Sequence, residues 1–418
     1  MRQCITKGGA VSTPLFFLSV PLTSYIFQFG RFPQLSEAEI RCRLPHFAKK
    51  REICPGFFSF STENEKEIKE HPQRLLDSLG GSIRIAKEYG EGKNPQSTLE
   101  GIIHLLTSTF PEGKIQFGIS VFRHHPKWNK FFQVGIKKEL KNRGRSSRCV
   151  NRGTKNLDAG TLHKEGFFRK KNRIEILIFP QKNGNMLVAH TRAAQNVEAF
   201  AERDYQKPER DMVVGMLPPK IALLLLNLSA TRGKLPKRIW DPFCGTGTIA
   251  VEAARLAKES IGTDISPKMV DAAQKNFFHF FQEEGNFFVH DATRTLPSEV
   301  QKMLTHDTTI VSEGFLGPIF GKPLRDKEYQ KAKRVVEPVM TGFFRAIAAE
   351  KKITKMVICL PFWKLANKKN GFCKNTLAQA EKIWKNALAF GEKTPLGGLL
   401  YRRDDQIVGR HILVLERR

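Results

Sequence analysis

Four acidic residues stand where short apolar runs end: Asp241, Asp264, Asp291 and Glu313. The first opens Asp241-Pro242-Phe243-Cys244-Gly245-Thr246-Gly247-Thr248, between the strand-like Arg238–Trp240 and an Ala-rich helical run over 249–257. Glycines in such a turn let backbone approach a ligand that side chains would block. The helix start behind them offers free N–H groups and a positive dipole end. Many nucleotide binders share a glycine turn of this kind. This one lacks GxGxxG and the GK[ST] of a phosphate loop, and its strand-end acid suits an ammonium group. Asp264 ends a second strand, Ile261–Thr263, and an acid there can take both ribose hydroxyls. Asp291 follows a third strand, Asn286–Val289, and can accept from an adenine amino group. Acids at the carboxyl ends of three consecutive strands line one crevice, where open α/β sheets bind ligands.

Glu313 lies in Ile310-Val311-Ser312-Glu313-Gly314-Phe315-Leu316-Gly317, at the end of a fourth short strand. Read alone, this is a strand followed by a glycine-rich loop that carries one acid, Glu313, and one aromatic, Phe315.

The elements that must position these residues alternate strand and helix from about residue 215, which predicts an open parallel α/β sheet. Ser266 and Pro267 read as cap and first residue of the helix after the second strand. Val357–Trp363 reads as a later strand whose Phe362 and Trp363 suit core packing, with a place beside a ligand pocket as the other use, and Asp404-Asp405 reads as a turn before the last strand. The first half has α+β character. Tyr25–Phe29 alternates as a strand and leads into a helix with Ser36 as its cap and Glu39 three residues later. Residues 102–106 fit a strand or a helix end, 114–122 alternate as a strand, and 131–140 read as a helix. Arg173–Pro180 and 186–191 flank an Asn-Gly turn, a hairpin signal. Residues 193–210 read as a linker helix running into a Pro-broken connection. The expected divisions are an N-terminal extension over 1–24, an α+β domain over 25–80, a second domain over 81–192, a linker over 193–214 and the α/β domain over 215–418.

Charge separates the halves. The 418 residues hold 69 Lys and Arg against 41 Asp and Glu, a formal net charge of +28. Residues 114–173 contain 17 basic and 3 acidic residues, half of the excess. Lys137, Lys138, Lys141, Arg143, Arg145, Arg148 and Arg152 form its centre, with Trp128, Phe131 and Phe132 just before it. Cations nearly free of acids suit a nucleic-acid backbone; the aromatics suit core packing, with base stacking as the other use. Seven cysteines without a Cys-x-x-Cys pair argue against a zinc ribbon or disulfide framework and fit a reducing cytosol. His124, His125 and His290 lack partners at metal-ligand spacing, so no metal is expected. No apolar run is long enough to span a bilayer. Arg2 and Lys7 ahead of 15–22 resemble a short signal segment, but the proline break favours a first strand or an overextended start, and the cytoplasm is the expected location.

Asp241–Thr248 resembles motif I of the S-adenosylmethionine-dependent methyltransferases. More narrowly, Arg203–Ser229, Asp241–Ala254, Gly409–Leu415 and the opening Tyr25–Ile40 resemble the THUMP-domain tRNA guanine-N2 methyltransferases that modify guanosine ten. The likeness covers about residues 25 to 418, more closely in the second half. It implies a Rossmann-like class I methyltransferase domain preceded by an α+β N-terminal and THUMP-like RNA-binding region. It also implies S-adenosylmethionine as cofactor, tRNA or another structured RNA as partner, no membrane, and room for a small accessory protein subunit. Asp241, Phe243, Gly245 and Gly247 would meet the cofactor's methionine part, Asp264 its ribose and Asp291 its adenine. The family's strand-four motif is Asp-Pro-Pro-Tyr, an acceptor followed by a stacking face. Here either Glu313 takes the Asp place and Gly317 the glycine after the aromatic, or Ser312 comes first with Phe315 as the aromatic. Both registers lose the Pro-Pro rigidity. The implied function is methyl transfer to a nucleobase amine in RNA, most simply guanine N2 in tRNA. A retired cofactor- and RNA-binding protein and a DNA amino-methyltransferase stand as alternatives.

Overall fold

The computed structural model describes residues 23–122, 127–151, 153, 155–210, 216–388 and 394–418. The extension over 1–24 therefore lies, but for its last two residues, outside the described residues, as do His124, His125 and Arg152. The chain folds as two compact units that interleave along the sequence. One holds 23–27, 49–65 and 84–194; the other holds 28–48, 66–83 and the described residues from 195 on. The expected linear divisions thus do not coincide with these units.

The first unit is built on an eight-stranded sheet: β1 Thr23–Phe29, β2 Ala48–Cys54, β3 Phe57–Thr62, β4 Ser82–Gly92, β5 Ile115–Val121, β6 Ser147–Cys149, β7 Arg173–Pro180 and β8 Met186–Ala194, in the order β2-β3-β1-β4-β8-β7-β5-β6. β7 and β8 form the expected antiparallel hairpin, turning at Gly184 with φ +86°. Residues 102–106 lie inside the helix Pro95–Thr109. Leu99, Ile102, Ile103 and Leu106 recur at three- and four-residue spacing and are buried, and Asn94 closes a capping box with Ser97. The helix Lys127–Asn142 brings Phe132, Ile136 and Leu140 into the same core.

The second unit carries a mixed sheet of β9 Arg238–Asp241, β10 Glu259–Asp264, β11 Asn286–Val289, β12 Thr308–Ser312, β13 Lys355–Lys364, β14 Asn370–Phe372, β15 Trp384–Asn386, β16 Leu399–Tyr401 and β17 Val408–Arg417. Its main path runs β11-β10-β9-β12-β13-β17-β15. β9 through β13 pair in parallel, and β17 returns antiparallel on β13. Chain order reverses on the two sides of β9, so a switch point opens at the carboxyl ends of β9, β10 and β12. The helices Pro219–Leu228, Thr248–Arg255 and Asp326–Ala348 bury their apolar faces in this unit. Ser36 does not cap a helix. It sits inside the helix Pro33–Arg43, where Phe32 is the cap residue, and donates to the Gly81 carbonyl at 2.7 Å. Proline at the first turn starts this helix without a capping hydroxyl. Glu39 accepts from Gly80 N, Gly81 N and Asn227 Nδ2 at 2.7–2.8 Å, and burial pushes its carboxyl up to about 7.

Candidate active site

β9 ends at Asp241, which is 3% exposed. Its Oδ1 accepts from Phe243 N at 3.1 Å and from Ser312 Oγ at 2.6 Å, joining the ends of β9 and β12. Burial raises its carboxyl to about 7; the two hydrogen bonds oppose this, and the charges of Asp264 and Glu313 add to it. The chain then turns at Gly245, whose φ of +49° is left-handed, and enters the helix Thr248–Arg255 with Gly247 at the cap position. A Cβ on Gly245 would meet no atom within 4 Å, so the loop borders open space. Phe243 packs edge-on against Phe343 at 5.5 Å, inside its own core.

Asp264, at the end of β10, accepts from Gly245 N at 3.0 Å and from Ser266 N at 2.9 Å. Each oxygen takes one of these bonds, which leaves lone pairs for a diol. Beside it Ile265 is 67% exposed, a large apolar side chain at a strand tip. Asp291 turns Oδ1 to Thr293 N and Oγ1 at 2.9 and 2.7 Å and Oδ2 to Arg294 at 3.3 Å. The Thr293 backbone bond leads in holding its carboxyl below the usual range. His290, next to Asp291 in the chain, has a buried Nε2 with no hydrogen-bond partner among the described residues. Open space over a glycine loop, a carboxylate with spare acceptors, an exposed aliphatic group and an orphaned ring nitrogen together fit an adenosyl ligand with an ammonium-bearing tail.

At the strand-four end the two candidate acceptors, Ser312 and Glu313, have different partners. Ser312 is buried: its Oγ donates to Asp241 and accepts from Gly314 N at 3.0 Å. Glu313 Oε1 accepts from Nε and an Nη of Arg410 on β17, each at 2.5 Å. Arg410 is 7% exposed, and its guanidinium also lies 5.4 Å from the Tyr401 ring centroid. Glu313 Oε2 has no hydrogen-bond partner among the described residues, and a fifth of the side chain is open to solvent. Phe315 is half-buried on the core, with its N–H directed to Met340 Sδ at 3.4 Å. Phe362 and Trp363 are core residues.

Sequence reading missed Arg410 and Lys207. Both lie in stretches that carry the resemblance, but nothing local marks Arg410 as a partner of a residue 97 positions earlier. Lys207 Nζ donates to Thr248 Oγ1 at 3.2 Å, against the glycine loop. In the first unit Lys137, Lys138, Lys141, Arg143 and Arg148 are exposed. Arg145 instead donates to the carbonyls of Phe110, Pro111 and Gly113 at 2.7–3.1 Å, and so holds a turn. Phe132 is core, while Phe131 and Trp128 stand edge-on at the surface side of that helix.

Residues 208–379 match the family model of the RMKL-like methyltransferase domain. A tRNA (guanine(10)-N2)-dimethyltransferase of Methanothermobacter thermautotrophicus is 41% identical over 66 residues, 16% of this chain and 19% of that one. The enzyme of the same name from Pyrococcus abyssi is 29% identical over 127 residues, 30% and 36% of the two chains. That from Methanocaldococcus jannaschii is 29% identical over 132 residues, 29% and 37%. The matched segments span little more than a third of these relatives at most. Among solved structures, TrmN from Thermus thermophilus aligns over 94% of this chain and 100% of its own, with 13% identity and a TM-score of 0.48.

Proposed function

For a chain whose residues 208–379 are an RMKL-like methyltransferase domain related to the tRNA guanine-N2 methyltransferases, we propose methyl transfer from S-adenosylmethionine to guanine N2 in tRNA. The observation that carries the reading is the bond between Asp241 and Ser312, with Glu313 next in the chain, at the carboxyl ends of β9 and β12 beside the open glycine loop. When bound, the cofactor supplies an electrophilic methyl group on a sulfonium. Asp264 would hold the ribose diol and Asp291 the adenine amino group. Asp241 faces the ammonium end, whose charge offsets the burial of its carboxylate.

Glu313 accepts the target amine's N–H through Oε2, because Arg410 occupies Oε1. The proton that the methylated amine gives up would leave to Glu313 Oε2 or to water. Arg410 supplies from β17 the rigidity that Pro-Pro gives in the family motif, and Phe315 offers the flanking ring. The exposed cations of the first unit hold the RNA backbone, in keeping with a protein that works in the cytoplasm.

The test combines labelled S-adenosylmethionine with bulk unmodified tRNA, followed by digestion. Labelled N2-methylguanosine is expected from the wild-type chain. Glu313→Ala should lower its rate about 100-fold or more while tRNA still binds. Full incorporation by Glu313→Ala removes Glu313 from the reaction, and a tRNA affinity indifferent to salt removes the phosphate contacts.

A further inference from the structure

β13 outruns its neighbour at the site. β12 ends at Ser312, opposite Ile358, while β13 continues to Lys364. There β14 folds back on it, pairing Phe362 with Phe372 and Lys364 with Asn370. Arg410, which holds Glu313, lies opposite Pro361. A cavity of about 290 Å3 begins at the next residue, Phe362, and is lined further by Phe32, Lys364, Asn370, Arg402 and Asp404. It therefore takes up roughly 10 Å of strand just past the residue that holds Glu313.

The charges of this cavity are not balanced. Its acid, Asp404, is bound to Arg31 and attracts Arg402 without pairing with it. Arg402 is fixed by neutral partners instead. Its Nη1 donates to Asn370 Oδ1 at 3.1 Å, and its guanidinium lies 5.0 Å from the Phe362 ring centroid. Lys364 has no ion pair and no side-chain hydrogen bond among the described residues. A guanidinium held against a ring presents its remaining donors as a planar fork, which matches phosphate oxygens, and the ammonium adds a point charge. Phe32 is half-buried and packs edge-on against Tyr401 at 4.7 Å, which fixes its ring as an aromatic wall. Cations without acids beside a fixed ring are what single-stranded nucleic acid needs: charge for the phosphate and a face for the base.

We propose that this cavity binds a nucleotide of the RNA strand next to the methylated base, with its phosphate on Lys364 and Arg402 and its base against Phe32. This rests on the reading of RNA methylation above. It gives the hairpin of β13 and β14 a task of its own, which is to fix the path of the RNA past Glu313 so that the target amine meets Oε2.

The test measures the binding of unmodified tRNA over a range of salt concentrations, with S-adenosylhomocysteine affinity as the control for an intact fold. The double variant Lys364→Met, Arg402→Met should weaken tRNA about 10-fold and lower the slope of log affinity against log salt by about 0.7. S-adenosylhomocysteine should stay within about 2-fold of wild type, since it shares no partner with these cations. Phe32→Leu should weaken tRNA about 5-fold with the slope unchanged, because stacking releases no counterions. Lys364→Met alone gives up no protein contact and should still lower the slope. Unchanged tRNA affinity and slope in the double variant overturn the proposal. So does an equal loss of tRNA and S-adenosylhomocysteine in Lys364→Met, which would assign the lysine to the fold. A wild-type chain that methylates no tRNA fails the reading of function, and this inference with it. A wild-type chain that methylates tRNA, beside a double variant that binds it unchanged, fails this inference alone.

Discussion

Two loops meet at the candidate site, and each turns through a left-handed glycine, yet they are built for opposite purposes. At Gly245, φ +49°, a Cβ would stand in open space. At Gly314, φ +66°, it would lie 2.4 Å from the Cys359 carbonyl oxygen on β13. The first loop keeps its glycine for a ligand that is not part of the chain, and the second keeps its glycine for the chain's own sheet. The hydrogen bonds follow the same division. Asp264 retains unused lone pairs, whereas Ser312 is saturated by Asp241 and Gly314, and half of the Glu313 carboxylate is held by Arg410. The strand-four loop, divergent from the motif it resembles, is therefore a packed and specific structure rather than a decayed one.

The sharpest break of this comparison is Gly314→Ala. Left-handed strain and a collision with backbone should destabilise the second unit by about 3 kcal/mol or more. Trp240, Trp363 and Trp384 all lie in that unit, so their fluorescence in a denaturant titration reports it. A midpoint unchanged from wild type would mean that the strand-four loop is not packed as described.

Gly245→Ala should do the reverse. The fold should lose only about 1 kcal/mol of left-handed strain, while S-adenosylhomocysteine binding weakens about 10-fold because the methyl group enters the ligand's space. Asp264→Ala should cost a similar factor through the lost diol contacts. A large stability loss with unchanged ligand affinity in Gly245→Ala would erase the contrast between the loops.

The remaining effect concerns pH. Asp241 is raised from its ordinary value of 3.8 to about 7, so between these values the folded chain holds a proton that the unfolded chain has released. Stability must then fall as pH rises from about 4 to about 7, and flatten above. Glu39, also raised to about 7, acts in the same direction. Asp241→Asn should remove about half of the slope in the unfolding midpoint against pH. An undiminished slope would mean that Asp241 titrates normally and the β9–β12 junction is open to water.

The sequence by itself determined the strand ends and their acids. Asp241, Asp264 and Asp291 are legible because a short apolar run, a glycine or Asx turn and a helix start are all local signals, written within a few residues. The hairpin at Gly184 was legible for the same reason. The short run at 102–106 was less so, because five apolar residues fit two periods and only burial against one core selects the helix. Ser36 misled because the capping pattern recurs wherever a buried hydroxyl happens to precede an acid.

Only the tertiary structure decided what Glu313 and Lys207 face. Arg410 reaches Glu313 because β17 lies antiparallel on β13, with Arg410 opposite Pro361, next to the strand whose end carries Glu313. Lys207 is buried because Asn276 and Glu252 draw its segment onto the loop. Partners of this kind are chosen by strand order and register, which bring together residues far apart in sequence, and no local pattern of residue types encodes that choice.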